Sequence, residues 1–213
     1  MIHHWNTPWH DVPIVVVDTE TTGTRPGIDR VVQVAAVRYE HGERVADFES
    51  LVNPGIPIPP EATAVHGITD EDVASALDMS LVATRIESIC TGAQLAAYNS
   101  DFDREMLPPL GDDPRWPWLD PLVIIRDVDR YERGKGRHTL AASCARHGVE
   151  LIGAHGALAD ARAAGGMLLK LGMQVWRNEP LGSVLHWTMR MRANQWLQFH
   201  EWLAKQPVKE DAP

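Results

Sequence analysis

Cysteine is nearly absent from the 213 residues. Only Cys90 and Cys144 occur, 54 positions apart and in no C-x-x-C pair. That leaves neither a disulfide framework nor a thiolate zinc site, and it fits a reducing, cytosolic setting. Long apolar runs are missing too. The longest early one, Val12 to Val17, is interrupted by Pro13 and ends at Asp18, too short for a signal-peptide core or a membrane span, so no membrane association is expected. Basic charge is scarce: 20 Lys and Arg stand against 29 Asp and Glu, a net charge of −9. Nucleic-acid binding by bulk electrostatics is thereby excluded, and any such contact must be local or metal-assisted. Glycine (16) and proline (15) are too few and too scattered for a collagenous or low-complexity chain. There is no internal repeat. What remains is 44% hydrophobic and 23% charged, an ordinary composition with enough length for one globular core.

Residues 1–12 lack periodicity and read as an irregular lead-in, with His3, His4 and His10 expected as exposed polar residues. Ile14 to Val17 is a β-branched run that predicts a strand buried on both faces. Val31 to Glu40 and Arg44 to Val52, separated by His41-Gly42-Glu43, predict a hairpin, and the Pro-rich stretch from Asn53 to Pro60 then crosses an edge. Thr69 is placed to cap a helix whose first turn holds Asp70, Glu71 and Asp72, and whose pattern continues through Leu81, Arg85, Ile86 and Ile89 to Thr91-Gly92.

Gln94 to Tyr98 reads as a short buried strand, followed by a helix from Asn99-Ser100 to Pro108-Pro109. Helices are predicted over Leu140 to His147, stopped by Gly148, and over Ala157 to Arg177, where Gly165-Gly166 points to close backbone packing. A last helix carries Leu185, Met189, Trp196, Phe199 and Leu203 on one face. The class is α/β with a mixed central sheet flanked by helices.

Three groups of residues carry chemistry. Asp18 and Glu20, two apart at the exit of the most buried strand, share one face of it. That end of an α/β sheet is where ligands bind, although a lone Asp-x-Glu is weak evidence. Asp103, in Asn99-Ser100-Asp101-Phe102-Asp103, follows the second buried strand, with Phe102 anchoring the helix start and Asp101 competing for the functional role. His155 and Asp160 form the third group, a turn imidazole and a first-turn carboxylate. Two like charges at about 4 Å repel by about 4 kcal/mol at an effective dielectric near 20. A cluster of such carboxylates therefore asks for divalent cations, and all-oxygen ligation points to Mg²⁺ or Mn²⁺. Two such ions serve in-line attack at a phosphodiester, with His155 as the proton acceptor.

The runs VVVDTETTG (Val15 to Gly23), YNSDFD (Tyr98 to Asp103) and HGALADA (His155 to Ala161) resemble, in order and spacing, the three motifs of the DnaQ-like 3′–5′ exonucleases. That family includes the proofreading epsilon subunit of bacterial DNA polymerase III. Val52-Asn53-Pro54 and His66-Gly67-Ile68-Thr69 resemble its intervening segment, so the likeness covers Pro13 to Trp176. It implies a ribonuclease H-like fold, with Asp18, Glu20, Asp103 and Asp160 holding two Mg²⁺, Mn²⁺ substituting, and His155 as general base. The His stands five positions before the last Asp, and the position four before it is Gly156. This resembles the His-type (DEDDh) branch.

The resemblance also implies that Thr21, Thr22, Gly23, His66, Asn99 and Phe102 surround the substrate, with the backbone at Thr21 and Thr22 holding its 3′ end. One departure is Tyr98, where many members have His, which bears on substrate preference and not on the ligands. The expected activity is 3′–5′ exonuclease action on DNA ends, releasing nucleoside 5′-monophosphates. The alternatives are an exoribonuclease or short-oligonucleotide nuclease of the same family, and a non-catalytic polymerase-associated subunit.

Arg130 to His138 carries four basic residues against one acid and reads as a loop able to touch phosphates. The expected organisation is a lead-in (1–12), an exonuclease domain (13–177), a Trp-rich helical extension packed on it (178–206) and a disordered tail (207–213). Beyond packing, the extension has two other readings: stacking on single-stranded bases, and docking on a polymerase or repair partner.

Overall fold

The computed structural model describes residues 4–107, 110, 117–132 and 134–206. Strand β1 (Ile14–Thr21) pairs antiparallel with β2 (Val31–Glu40), which pairs antiparallel with β3 (Glu43–Leu51). The β2–β3 connection is shorter than the sequence suggests: His41 and Gly42 alone make the turn, both with left-handed φ (50° and 78°), as the tight hairpin geometry requires. On its other side β1 runs parallel to β4 (Gln94–Ala96), giving the order β3-β2-β1-β4. The sheet is mixed, as expected, and β1 is internal. The β4 strand is two residues shorter than predicted.

Alternation along β1 divides the core. Ile14 and Val16 face one layer with Ala161, Ala164, Met167, Leu168 and Leu171 of α7 (Ala157–Val175). Val15 and Val17 face the other, with Val82 and Ile86 of α3 (Met79–Cys90). The glycine pair in α7 does what its sequence suggested. A Cβ on Gly165 would lie 2.4 Å from the Tyr39 hydroxyl, so glycine lets the helix close on the sheet.

The helix predicted from Thr69 to Thr91 is two. Thr69 forms a reciprocal capping box with Asp72 at the start of α2 (Asp70–Val73), and Asp78 caps α3 by accepting from Leu81 N–H. Between them the chain leaves the helical path so that Leu77 bridges to Val52, a tertiary demand that overrides local periodicity. Two helices were not anticipated. Helix α1 (Pro60–His66) starts with Pro at its first position, inside the supposed crossing segment, and α5 (Pro121–Val128) starts the same way after Asp120. The remaining helices are α4 (Ser100–Met106), α6 (Leu140–His147) and α8 (Leu181–Ala204). The predicted stop at Pro108-Pro109 and the tail 207–213 lie outside the described residues.

The lead-in is anchored. Trp9, fully buried in a 3-10 turn, donates its indole N–H to the Arg177 carbonyl at 2.9 Å and meets Trp176 edge to face. Helix α8 buries Leu181, Val184, Leu185 and Thr188, while Met189 and the aromatic residues beyond Gln195 are exposed. Among the described residues no helix is long and apolar enough to cross a membrane.

Candidate active site

Asp18 and Glu20 continue the face of β1 that looks toward α7, and the first turn of α7 supplies Asp160. One oxygen from each of these carboxylates lies within 4.8 Å of the other two. Asp103 is held slightly apart. Its Oδ1 accepts from Thr19 Oγ1 at 2.8 Å, and Thr19 points to the opposite face from Asp18 and Glu20. Asp103 is only 3% exposed, and its charge still acts on both Asp18 and Glu20. The structure thus gathers three of the four predicted acids tightly and brings the fourth alongside.

This grouping is electrostatically unfavourable on its own. Burial, then the charges of Asp103, Asp160 and Glu20, raise the Asp18 carboxyl well above its ordinary range. Burial, Asp160 and Asp103 push Glu20 up to about 7. Burial raises Asp103 against the opposing Thr19 hydrogen bond, and it raises Asp160 against the His155 backbone N–H and the His155 charge. Asp160 Oδ1 is buried without a hydrogen-bond partner. A clustered, all-oxygen donor set with an unpartnered buried carboxylate oxygen fits a hard divalent cation.

His155 sits in the turn before α7 with a left-handed φ of 65°, exposed, and its backbone N–H donates to Asp160 Oδ2 at 3.3 Å. The backbone contact ties this turn to the acid while leaving the imidazole in solvent. The Gln33 side-chain oxygen accepts from Ala157 N–H at 3.1 Å, fixing the start of α7 to the sheet.

Beside the acids lies a cleft of about 430 Å³ lined by residues including Glu20, Thr21, Thr22, Gly23 and His66. Thr22 donates its backbone N–H to the Arg30 carbonyl and accepts from Arg30 N–H through its hydroxyl, and the Thr21 hydroxyl donates to the Gly23 carbonyl. These bonds commit the Thr22 backbone N–H and the Thr21 hydroxyl proton, while the Thr22 hydroxyl, an acceptor here, keeps its own proton. A Cβ on Gly23 would fall 2.6 Å from Asp29 Oδ2, so glycine is needed where Asp29 closes the loop. His66 accepts from Ile68 N–H at Nδ1, which places its proton on Nε2. Burial lowers its pKa, with the nearby Thr21 carbonyl opposing. Asn99, exposed with φ 63°, and half-buried Phe102 flank Asp103 at the start of α4 and do not line this cleft.

The sequence reading missed Asp120. This buried carboxylate accepts from Asn99 N–H (3.1 Å) and Ser100 N–H (3.0 Å) at the start of α4, and from Leu122 N–H (2.9 Å) in α5. Arg192 of α8 joins it at 3.2 Å and also bonds Ser100 Oγ and Asp101. Asp120 therefore anchors the helix that presents Asp103. The signal was present as an Asp-Pro pair ahead of an apolar run, a helix-start signature.

The family model described as RNase T exonuclease matches residues 15–168, which contain every one of these acids. The chain belongs to the RNase T exonuclease family. It is 41% identical over 174 residues to the DNA polymerase III subunit epsilon-like protein of Rhodobacter capsulatus, covering 78% of this chain and 24% of that protein. It is 33% identical over 172 residues to the PolC-type DNA polymerase III of Streptococcus thermophilus, covering 76% of this chain and 11% of that protein. The chain thus spans about a quarter or less of the length of these relatives. In fold it is similar to exonuclease X solved with 5′-overhanging duplex DNA, at TM-score 0.65 and 24% identity over 81% of this chain and 99% of that one. It is also similar to exonuclease I, at TM-score 0.66 and 26% identity over 76% of this chain and 41% of that one. The architecture of this family member is ribonuclease H-like, as the motifs implied.

Proposed function

We propose that the protein is a metal-dependent 3′–5′ exonuclease that hydrolyses phosphodiester bonds at the 3′ end of DNA and releases nucleoside 5′-monophosphates. The observation that carries this reading is the convergence of Asp18, Glu20 and Asp160 within 4.8 Å at the end of an internal strand, with Asp103 alongside. Family membership supports the reaction class. DNA is favoured as substrate because the relatives are named as DNA polymerase III proteins, and the exonuclease X structure was solved with DNA.

Asp18, Glu20, Asp103 and Asp160 would hold two Mg²⁺ or Mn²⁺, which when bound lower the pKa of water and stabilise the leaving oxygen. The protein's own contribution is positional. Strand β1 fixes Asp18 and Glu20, the Thr19 hydroxyl orients Asp103, and the His155 backbone N–H orients Asp160. In this reading the His155 imidazole, exposed on the turn before α7, accepts the proton released by the attacking water. The cleft beside Glu20 accommodates the terminal nucleotide, with His66 on its wall.

Matched single-stranded DNA and RNA oligonucleotides of one sequence test the substrate assignment. Faster release of deoxynucleoside 5′-monophosphates is expected, and a clear preference for RNA would overturn the choice of DNA.

A further inference from the structure

We propose that Gln33 is a positioning residue of the reaction: from the neighbouring strand it holds the first turn of α7, and with it Asp160 and His155, in place against Asp18 and Glu20. The inference rests on the exonuclease reading and gives the site a residue beyond its acids and its imidazole.

The sequence around the start of α7 supplies no cap of its own. Gly156 stands at the N-cap position with no side chain to offer, and the first amides of a helix have no partner within it. Ala157 N–H finds its acceptor 124 residues away, in the Gln33 side-chain oxygen at 3.1 Å. Gln33 lies opposite Glu20 in the β1–β2 pairing, so the two side chains leave the same face of the sheet. Its side-chain nitrogen donates to Glu49 Oε1 of β3 at 3.2 Å. An ionised carboxylate can only accept and a backbone N–H can only donate, so these two neighbours fix which end of the amide faces α7.

The turn that carries the chemistry depends on this contact. Ala157 precedes Asp160 by about one helical turn. On its other side His155 keeps a left-handed φ of 65°, a conformation that persists in a non-glycine residue only where its surroundings hold it. The His155 N–H bond to Asp160 Oδ2 closes the turn on the helix start, moves with it, and so cannot set its position on the sheet. Further along, α7 is pinned without Gln33. The Tyr39 hydroxyl donates to the Arg162 carbonyl at 3.3 Å, and Arg162 Nε bonds Asp47 of β3 at 3.1 Å. Loss of the Gln33 contact therefore frees the first turn and leaves the body of the helix in place. Because a misplacement of about 1 Å can cost about 10² in rate, the consequence falls on turnover rather than on the fold.

The test compares wild type with two variants on single-stranded DNA with Mg²⁺. Gln33→Met keeps the side-chain length and removes both polar atoms. The paired exchange Gln33→Glu, Glu49→Gln keeps an acceptor for Ala157, a donor and acceptor across the strands, and the total charge. Gln33→Met is expected to lower kcat by about 10- to 100-fold with little change in KM, and the paired exchange to restore most of that turnover. Melting temperatures should stay within about 5 °C of wild type. In EDTA the Ala157 amide of Gln33→Met should exchange with solvent at least about fivefold faster than in wild type. A kcat for folded Gln33→Met equal to wild type, or one that the paired exchange leaves as low, overturns the proposal while the exonuclease reading stands. If wild type cleaves no DNA, calorimetric titration with Mn²⁺ separates the two ideas. An affinity at least about tenfold weaker in Gln33→Met and regained in the paired exchange supports the positioning role though the nuclease reading fails, and equal affinities overturn it.

Discussion

At the N-terminal end of β1, Trp9, Trp176 and Trp187 pack edge to face with ring centroids 5.2 and 5.5 Å apart, whereas at its C-terminal end four carboxylates crowd one another. The first end is closely packed, since a Cβ on Gly172 would meet Trp9 at 2.5 Å, and its buried unpartnered polar atom is the neutral Trp176 indole nitrogen. The second leaves Asp160 Oδ1 buried without a partner, and burial together with neighbouring like charges raises the pKa of Asp18 and Glu20. One strand therefore joins a region that stabilises the fold to one that strains it, and the strained end is where the chemistry is placed.

The largest effect that sharpens this contrast is expected from Asp18→Ala. Removing the acid at the centre of the cluster should reduce nuclease activity to the level seen with EDTA while the metal-free protein melts no lower than wild type. Parallel activity assays and thermal melts would check both halves. His155→Ala should lower turnover by about 10²–10⁴ with the melting curve unchanged, and wild-type turnover in that variant would remove His155 from the reaction. Trp9→Ala should act in the reverse sense, costing about 3–5 kcal/mol of stability while the specific activity of the folded fraction stays the same. Chemical denaturation measured beside kcat separates these outcomes.

The pH dependence follows from the same comparison. Between about pH 4, where unfolded carboxylates titrate, and about 7, where Glu20 titrates in the fold, the folded state binds more protons than the unfolded one. Stability of the metal-free protein should therefore fall as pH rises through that window. Melting curves in EDTA should show the decline, and saturating Mg²⁺ should flatten it. The smallest effect is expected from Arg192→Ala, which leaves Asp120 its three backbone donors. It should cost about 1–2 kcal/mol and raise the Mg²⁺ concentration needed for half-maximal activity, read from a metal titration.

The contrast also explains what the sequence disclosed. The carboxylate end was legible because its chemistry is local: Asp18 and Glu20 share a strand face, and His155 and Asp160 share a turn and the helix it opens. The mixed sheet and α6 to α8 followed from β-branched runs, helical periodicity and glycine stops. The tryptophan end was not legible, because Trp9 meets Trp176 across a separation that periodicity does not span. Asp120 escaped for the same reason, since its partners Asn99 and Arg192 lie far from it in sequence and its role exists only once three helices meet. The break between α2 and α3 was hidden because the Val52 bridge to Leu77 overrides a pattern that reads as one helix. In each miss, a tertiary contact decided what local sequence left open.

The most direct measurement is digestion of a 5′-labelled single-stranded DNA oligonucleotide by the purified protein with Mg²⁺ or Mn²⁺, beside EDTA and Asp18→Ala controls. A ladder that shortens from the 3′ end and is absent from both controls is the expected result. An uncut oligonucleotide with either metal, or a ladder that persists in Asp18→Ala, would contradict a metal-dependent exonuclease site at Asp18.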